Sequence, residues 1–323
     1  MVFSRFRFFM LLAASGVVSA LASSQKAFGA GAAEATTASP VAEVQLNLFQ
    51  AIALGMVQGM TEFLPISSTA HLKVVPVVLG WGDPGISFTA TIQLGSIAAV
   101  LWYFWTDLSN LTLGAIRAIK KRQYEDRDLR VVMGIGLGTL PILFLGLIVK
   151  FVISEFYDTT LRSLMAIAIV SIVMGLLLGV AERSGTRYRC FDQLTLQDGI
   201  MVGLAQAMAL IPGVSRSGST ITAGLFIGLD RATAARFSFL LGIPAITIAG
   251  LVELKDLLDS GMSGVGIVPL IGGLISTVIF SYVAIAWLIR FLQTQNTWVF
   301  VWYRLAFGIA ILGAIAFGAL ENS

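Results

Sequence analysis

The chain has 323 residues, of which 57% are hydrophobic and only 12% are charged. A soluble domain carries about twice that charged fraction, and the mean hydropathy of +0.87 excludes an ordinary water-soluble protein. The net charge of +3 comes without a basic stripe interleaved with aromatic residues, so we expect no nucleic acid as a partner. The single cysteine, Cys190, excludes an intrachain disulfide and a thiolate metal cluster. The composition therefore predicts a polytopic membrane protein.

Residues 1–45 are typical of a targeting extension. Two arginines precede an apolar run over residues 8–22, and a polar stretch rich in Ala, Thr, Ser and Pro follows. The apolar run is short for a complete membrane span. We interpret the segment as a cleaved secretory signal, with an uncleaved anchor as the alternative. Either would deliver the following residues to the outer face of the membrane.

Six later segments are long and apolar enough to cross a bilayer as helices. They are predicted at about residues 86–105, 131–153, 161–181, 236–256, 265–291 and 299–319. Two further stretches, 48–80 and 199–229, are apolar, but a proline followed by serines interrupts each of them. We interpret each as a re-entrant helical hairpin, because broken backbone is tolerated at membrane depth only where protein or water surrounds it. The predicted fold class is an all-α membrane protein with six transmembrane helices and two re-entrant hairpins.

Basic residues predict which loops face the cytoplasm. The predicted loop 106–130 contains six Lys or Arg residues, and the loop 182–198 contains three more. If 199–229 is re-entrant, the arginines that follow it lie on the same side, and the loop 257–264 falls outside with one acidic residue. This arrangement satisfies the positive-inside rule. The first hairpin, 48–80, would then open to the outer face.

The two broken stretches resemble each other in sequence. The segment GMVQGM at 55–60 compares with GLAQAM at 203–208, and each then reaches a proline and a serine cluster. The halves 46–181 and 199–320 would each contain one hairpin and three spans. Because three is odd, the second copy must be inverted, which brings the hairpins together near the midplane. Residues 46–323 would thus form a single membrane-embedded domain.

The first hairpin contains polar side chains at a depth where a charge costs about 3 kcal/mol and where a functional role is the default interpretation. Gln58 and Glu62 are four residues apart, so they share a helix face and suit a hard divalent cation whose shell water and phosphate complete. Ser68 and His71, the only histidine, could supply a nucleophile and its proton acceptor. The alternative is a set of polar residues hydrogen-bonded for packing.

The second hairpin has the composition of an anion site. It reads PGVSRSGST over 212–220 and precedes another apolar helix. Glycines permit a tight turn, free amides at a helix start point toward a ligand, and Ser215, Ser217 and Thr220 add hydroxyl donors. Arg216 offers a planar fork suited to phosphate. The two hairpins together predict phosphoryl transfer at a membrane, where catalysis is largely positioning and charge neutralisation.

The segment QGMTEFLPISSTAH, from Gln58 to His71, closely resembles the first signature of the bacitracin-resistance type of undecaprenyl-diphosphate phosphatase, and 212–220 resembles the second. The resemblance covers about 46–320. It implies hydrolysis of undecaprenyl diphosphate to the monophosphate at the outer face of the bacterial cytoplasmic (inner) membrane, which recycles the lipid carrier of cell-wall glycans and confers bacitracin resistance. It also implies membrane lipid as surroundings and a divalent metal, Mg²⁺ or Ca²⁺. The sequence does not fix the oligomeric state, and a homodimer stays open.

By position, the paired (Glu/Gln)-xxx-Glu motif of that family falls on Gln58 and Glu62, where Gln58 supplies one formal charge fewer than a glutamate would. The catalytic serine and histidine fall on Ser68 and His71, and the phosphate-binding arginine falls on Arg216. Attack by Ser68 with His71 as proton acceptor, attack by His71, and attack by water that His71 activates all stay open. The alternative function is a lipid-phosphate transporter or flippase with the same midplane pocket, since inverted repeats and broken helices are typical of transporters.

Overall fold

The computed structural model describes residues 46–322 apart from residues 83, 153 and 261–265. The targeting extension predicted at 1–45 lies outside the described residues, and so does part of the predicted outer loop 257–264. Within the described residues the secondary structure is helical, apart from one isolated bridge between Arg189 and Leu229.

Helices follow one another through short connections. In the first half they are α1 (Leu48–Phe63), α2 (Ser68–Val78), α3 (Gly85–Tyr103), α4 (Trp105–Lys120), α5 (Arg127–Val152) and α6 (Leu164–Ser184). In the second half they are α7 (Leu196–Ala207), α8 (Arg216–Phe226), α9 (Arg231–Ser260), α10 (Ile267–Thr294) and α11 (Trp298–Ala316). A turn of α-helix at Ser154–Phe156 and a π-helical turn at Tyr157–Leu161 join α5 to α6, while 3₁₀ turns at Phe191–Gln193 and Met208–Leu210 flank α7.

Among the described helices, α5, α6, α9, α10 and α11 are each long and apolar enough to cross a membrane. A sixth crossing is available if α3 and α4 count as one span, although their axes are bent by 64°. The prediction of an all-helical, multi-pass membrane protein is therefore confirmed. The predicted spans coincide with α3, α5, α6, α9, α10 and α11 to within a few residues.

Helix α4 occupies most of the stretch 106–130, which the sequence analysis treats as a loop, and that expectation is wrong. Small and apolar residues at Leu111, Gly114, Ala115 and Ala118 are buried on one face of α4. The spacing of three to four residues is that of an amphipathic helix lying against the bundle. The high charge of the stretch concealed this periodicity.

The stretches 48–80 and 199–229 each form two helices joined by a short turn, as predicted. The residue before the second helix is a serine with positive φ in both, Ser67 at 76° and Ser215 at 69°. These serines are 148 positions apart, and positive φ is uncommon for a residue other than glycine. The same rare conformation therefore recurs at matching positions of the two hairpins.

Each hairpin packs against a helix of the other half. Helix α1 lies along α10, and helix α7 lies along α5. Both crossings depend on glycine: a Cβ on Gly55 would overlap the Gly273 carbonyl oxygen, and a Cβ on Gly203 would overlap that of Gly138. Small residues let helix backbones approach closely in lipid, so these positions fix how deeply each hairpin sits in the bundle.

The buried carboxylate of Glu182 contacts residues at three helix ends. They lie at the arginine-rich end of the bundle, which is called the basic end. Glu182, at the end of α6, pairs with Arg187 at 2.8 Å and with Arg231 at the start of α9. It also accepts a hydrogen bond from the Thr297 hydroxyl, just before α11, at 2.9 Å. Arg127, in the basic stretch 106–130, pairs with Asp192 at 2.8 Å, so the basic stretches predicted to be cytoplasmic lie at the same end of the molecule.

The two hairpins enter the bundle from opposite ends. Helix α7 begins at the basic end, where Asp198 in its first turn binds Arg189 at 2.8 Å and raises the pKa of that guanidinium. Helix α1 begins at the other end, because a Cβ on Gly272, near the start of α10, would meet the Leu48 side chain at 2.6 Å. Helix α10 then runs to the basic end, where Thr297 follows it.

Candidate active site

The turns of the two hairpins meet inside the bundle. The Ser217 hydroxyl, on α8, donates a hydrogen bond of 2.9 Å to the Leu64 carbonyl in the first turn. The Arg304 guanidinium, on α11, donates to the Pro65 carbonyl at 3.1 Å and to the Gly213 carbonyl at 2.6 Å. The residues that the sequence assigns to separate hairpins are therefore brought to one place.

Glu62, near the end of α1, is the centre of this region, and its side chain is 11% exposed. One carboxylate oxygen accepts hydrogen bonds from the Ser68 hydroxyl at 2.7 Å and from the Gln58 amide at 3.2 Å. The other oxygen lies 3.5 Å from Nη2 of Arg216. Three other predicted site residues, drawn from both hairpins, thus surround the Glu62 carboxylate.

The polar cluster continues into helices that the sequence analysis treats only as spans. The Gln58 amide also lies 3.4 Å from the Ser96 hydroxyl of α3, and Ser96 lies 3.0 Å from the Ser281 hydroxyl of α10. Both serines are buried. A single serine in an apolar segment is a weak signal, so sequence analysis had no reason to select these two.

Arg216 is the first residue of α8, and its side chain is 8% exposed. Nη1 donates weakly to the Ser238 carbonyl at 3.4 Å, and the guanidinium lies over the Phe63 ring at 5.9 Å. Nε is buried and finds no acceptor among the described residues. Buried donors are normally hydrogen-bonded, so this guanidinium has capacity left for an anion.

The hydroxyls predicted to line a phosphate cradle are engaged with their own helix. The Ser215 hydroxyl accepts the Gly218 amide at 3.1 Å and caps α8. The Thr220 hydroxyl is buried and donates to the Arg216 carbonyl at 2.7 Å. The Ser217 hydroxyl, in turn, binds the turn of the first hairpin. These hydroxyls therefore hold the loop 212–220 in its conformation, and their contact with phosphate stays a prediction.

His71 is buried, and its two ring nitrogens contact groups other than Glu62. Its Nδ1 lies 2.7 Å from the Ser67 carbonyl, and its Nε2 lies 2.6 Å from the Tyr303 hydroxyl. The ring also stacks on Phe307 with centroids 4.4 Å apart. The structure therefore brings Ser68 to Glu62 and not to His71, whose nitrogens are both engaged. A catalytic role for His71 stays a prediction.

Sequence analysis missed two aromatic residues and an arginine in α11. Tyr303 and Phe307 position the His71 ring, and nothing in an aromatic-rich span singles them out. Arg304 could have been found, because an arginine inside an apolar stretch of membrane length is costly and marks a functional position. It is buried between the two turns.

The donor set for a metal is sparse. In the part of the chain that the structure describes, no group of three or more His, Cys, Asp or Glu side chains could hold a metal ion. Glu62 supplies one carboxylate and Gln58 one amide. This set fits Mg²⁺, which usually keeps several waters and binds through one or two carboxylates together with substrate phosphates.

The arrangement suits phosphoryl transfer. The Glu62 carboxylate accepts a hydrogen bond from the half-buried Ser68 hydroxyl. Arg216, which has a spare hydrogen-bond donor, faces the same carboxylate. Proton acceptance and neutralisation of phosphate charge are the two tasks that such a reaction requires.

Comparison with known proteins identifies a family and named relatives. The family model described as bacitracin resistance protein BacA matches residues 51–310, which include the second hairpin and all but the first three residues of the first. An undecaprenyl-diphosphatase of Trichormus variabilis is 68% identical over 279 residues, covering 86% of this chain and 87% of that protein. Undecaprenyl-diphosphatases of Synechocystis and Gloeobacter violaceus are 63% and 54% identical, covering 85% and 86% of this chain and 84% and 95% of those proteins. The chain belongs to the BacA family of bacitracin resistance proteins.

Proposed function

We propose that this protein hydrolyses undecaprenyl diphosphate to undecaprenyl phosphate and inorganic phosphate. The observation that carries the proposal is Glu62, which accepts the Ser68 hydroxyl at 2.7 Å while facing Arg216 at 3.5 Å. The relatives named undecaprenyl-diphosphatase, 54–68% identical over most of the chain, agree with it. The reaction recycles the lipid carrier of cell-wall glycan synthesis and confers bacitracin resistance.

Substrate binding follows from the unused capacity of Arg216. Its Nε is buried and has no acceptor within the described part of the chain, and its contacts to Glu62 and Ser238 are both at the long end of hydrogen-bond distance. A diphosphate oxygen would satisfy this donor and compete with Glu62 for the guanidinium. Ser215, which is half-buried beside Arg216, is the cradle hydroxyl best placed to contact the same anion, ahead of the buried Ser217 and Thr220.

Chemistry then begins at Ser68. Its oxygen attacks the terminal phosphorus, its proton passes to Glu62, and the bond from phosphorus to the bridging oxygen breaks, which releases undecaprenyl phosphate. Water then cleaves the serine–phosphate bond, which restores the serine hydroxyl and releases phosphate. The hydrogen bond between Ser68 and Glu62 supports this route over those in which His71 accepts the proton or attacks. The bonds of His71 to Ser67 and Tyr303 support a role in holding the turn.

A divalent cation, Mg²⁺ or Ca²⁺, would be held by Glu62 and Gln58 together with the diphosphate. When bound, it would neutralise phosphate charge during transfer. The single carboxylate of the site predicts modest affinity without substrate, because phosphate oxygens and water must complete the coordination shell.

We further propose an orientation for the fold, as one domain with two halves related by an inverted repeat. Six spans and two re-entrant hairpins would lie in the bacterial cytoplasmic membrane, with the basic end in the cytoplasm and the first hairpin opening outward. The entry of α1 and α7 from opposite ends supports this orientation, as does the positive-inside rule. Single cysteines at the exposed positions Phe317 and Tyr188, in a Cys190→Ser background, test it in intact cells. An impermeant thiol reagent should label Phe317→Cys alone, and labelling of Tyr188→Cys alone would reverse the orientation.

The decisive experiment is phosphate release from undecaprenyl diphosphate by the purified full chain in detergent, with added Mg²⁺ or Ca²⁺ or with chelator. Glu62→Gln and Ser68→Ala should each lower kcat by about 10³-fold. Arg216→Ala should also raise KM, and Ser184→Ala, a helix serine bound to its own backbone, serves as the matched control. Full activity of Ser68→Ala would refute the serine route, whereas acid-quenched protein with a phosphorylated Ser68 peptide would support it. Movement of lipid phosphate across vesicles without any phosphate release would favour the transporter alternative.

A further inference from the structure

Arg304 is the largest fully buried side chain among the described residues, at 1% exposure. All three of its nitrogens donate to backbone carbonyls: Nε to Ser171 at 3.1 Å, Nη1 to Pro65 at 3.1 Å and Nη2 to Gly213 at 2.6 Å. No carboxylate in the described chain forms an ion pair with it. A buried cation without a counterion is costly, so its presence calls for a role other than packing.

The carbonyls that Arg304 binds occupy matching positions in the two hairpins. Pro65 and Gly213 are 148 positions apart, as are the two serines with positive φ that follow them. Pro65 lies three residues before Ser68, and Gly213 lies three residues before Arg216. One guanidinium therefore joins the loop that carries the serine to the loop that carries the phosphate-binding arginine.

The surroundings of Arg304 are built to admit it. A Cβ on Gly175 would lie 3.0 Å from the Arg304 Cβ, and a Cβ on Gly218 would lie 3.2 Å from its Nη1. Both glycines leave room for the side chain between α6 and α8. An arginine fits this place because its planar fork presents donors in three directions, while a lysine has one nitrogen at the end of a flexible stem.

We infer that Arg304 is a positioning residue for the phosphatase reaction. By binding the Pro65 and Gly213 carbonyls, it sets the separation between the Glu62–Ser68 pair and Arg216. The inference rests on the proposed function, which places the reacting phosphate between these groups. The hairpins are also joined by the hydrogen bond from Ser217 to Leu64 and by the long contact of Arg216 with Glu62, but Arg304 alone contacts the backbone of both turns among the described residues.

The first test compares Arg304→Lys and Arg304→Met with wild type in the purified full chain. Arg304→Lys keeps the charge and most of the volume, so it is the variant expected to fold even if Arg304→Met does not. We expect kcat for undecaprenyl diphosphate to fall about 100-fold in Arg304→Lys, as for a misplacement near 1 Å. KM should stay within about threefold, because the groups that contact the substrate are all present. Arg290→Met, an exposed arginine at the end of α10, is the control and should leave kcat unchanged.

The second test measures the separation of the hairpins without any substrate. Spin labels at the exposed positions Met60 on α1 and Leu204 on α7, in a Cys190→Ser background, report the distance between the hairpins by pulsed electron resonance. Loss of the Arg304 contacts should broaden or shift the distance distribution, and Arg290→Met should not.

The outcomes separate the two proposals. If wild type releases no phosphate from undecaprenyl diphosphate, the proposed function has failed, and an altered distance distribution in the Arg304 variants still supports the link between the turns. If wild type is active and folded Arg304→Lys keeps its kcat, the positioning inference is overturned. A loss of kcat with an unchanged distance distribution overturns it as well.

Discussion

Gly242, in the middle of α9, borders the guanidinium of Arg216. A Cβ at this position would overlap Nη1 of Arg216 and would lie 2.7 Å from its Cζ. Favourable carbon contacts begin near ~3.5 Å, so Gly242→Ala should push the guanidinium away by about 1 Å. Nη2 is 3.5 Å from the Glu62 carboxylate, so a shift of that size would change the geometry of this contact and of the anion site.

The size of the effect on turnover follows from this displacement. A misplacement of 1 Å in a group that positions a reacting phosphate costs about 100-fold, so we expect kcat to fall by that factor. Stability should change much less, because alanine gains about 1 kcal/mol of helix propensity over glycine and offsets part of the strain. The signature of Gly242→Ala is therefore a large loss of activity in a protein that unfolds near the wild-type temperature.

The assay is phosphate release from undecaprenyl diphosphate, with the unfolding temperature measured on the same samples. Gly250→Ala, the same substitution in the same helix, is the control. A Cβ there would meet only the ends of the Ile97 and Leu94 side chains, at 2.7 and 3.2 Å, and these ends can rotate away. If folded Gly242→Ala keeps more than half of the wild-type kcat, Arg216 does not need the position that this structure gives it.

Three further substitutions test separate contacts. Ser217→Ala removes the hydrogen bond to the Leu64 carbonyl, so the free energy of unfolding should fall by about 1 kcal/mol and kcat should fall as well. Unchanged stability in a denaturant titration would show that this bond does not stabilise the fold. Gln206→Met replaces a fully buried amide that has no partner among the described residues, and it should raise the unfolding free energy by about 1 kcal/mol, which a lower unfolding temperature would contradict. Tyr303→Phe removes the hydroxyl partner of His71 and should lower the free energy of unfolding by about 1 kcal/mol, while kcat stays within about tenfold of wild type. A fall in kcat as large as that of Ser68→Ala would instead indicate that His71 is a catalytic residue.

The sequence by itself determined the broken hairpins and their charged residues. A proline followed by serines interrupts each apolar stretch at 48–80 and 199–229. Such interruptions can be recognised from the local sequence without knowing how the helices pack. Glu62 and Arg216 stand out because charge at membrane depth is costly and is retained only for a reason. The positions of the long helices followed from the same apolar runs.

Tertiary structure alone decided which of these side chains meet. The approach of Glu62 to Arg216 depends on glycine crossings between α1 and α10 and between α7 and α5, which sequence periodicity does not reveal. His71 was predicted beside Ser68, but Tyr303, more than two hundred residues away, lies against its second nitrogen. The contacts of Arg304 with the Pro65 and Gly213 carbonyls form only when both turns lie beside it, so its role cannot be predicted from the sequence. Local sequence fixes where a helix breaks, whereas contacts between distant side chains depend on how closely whole helices pack.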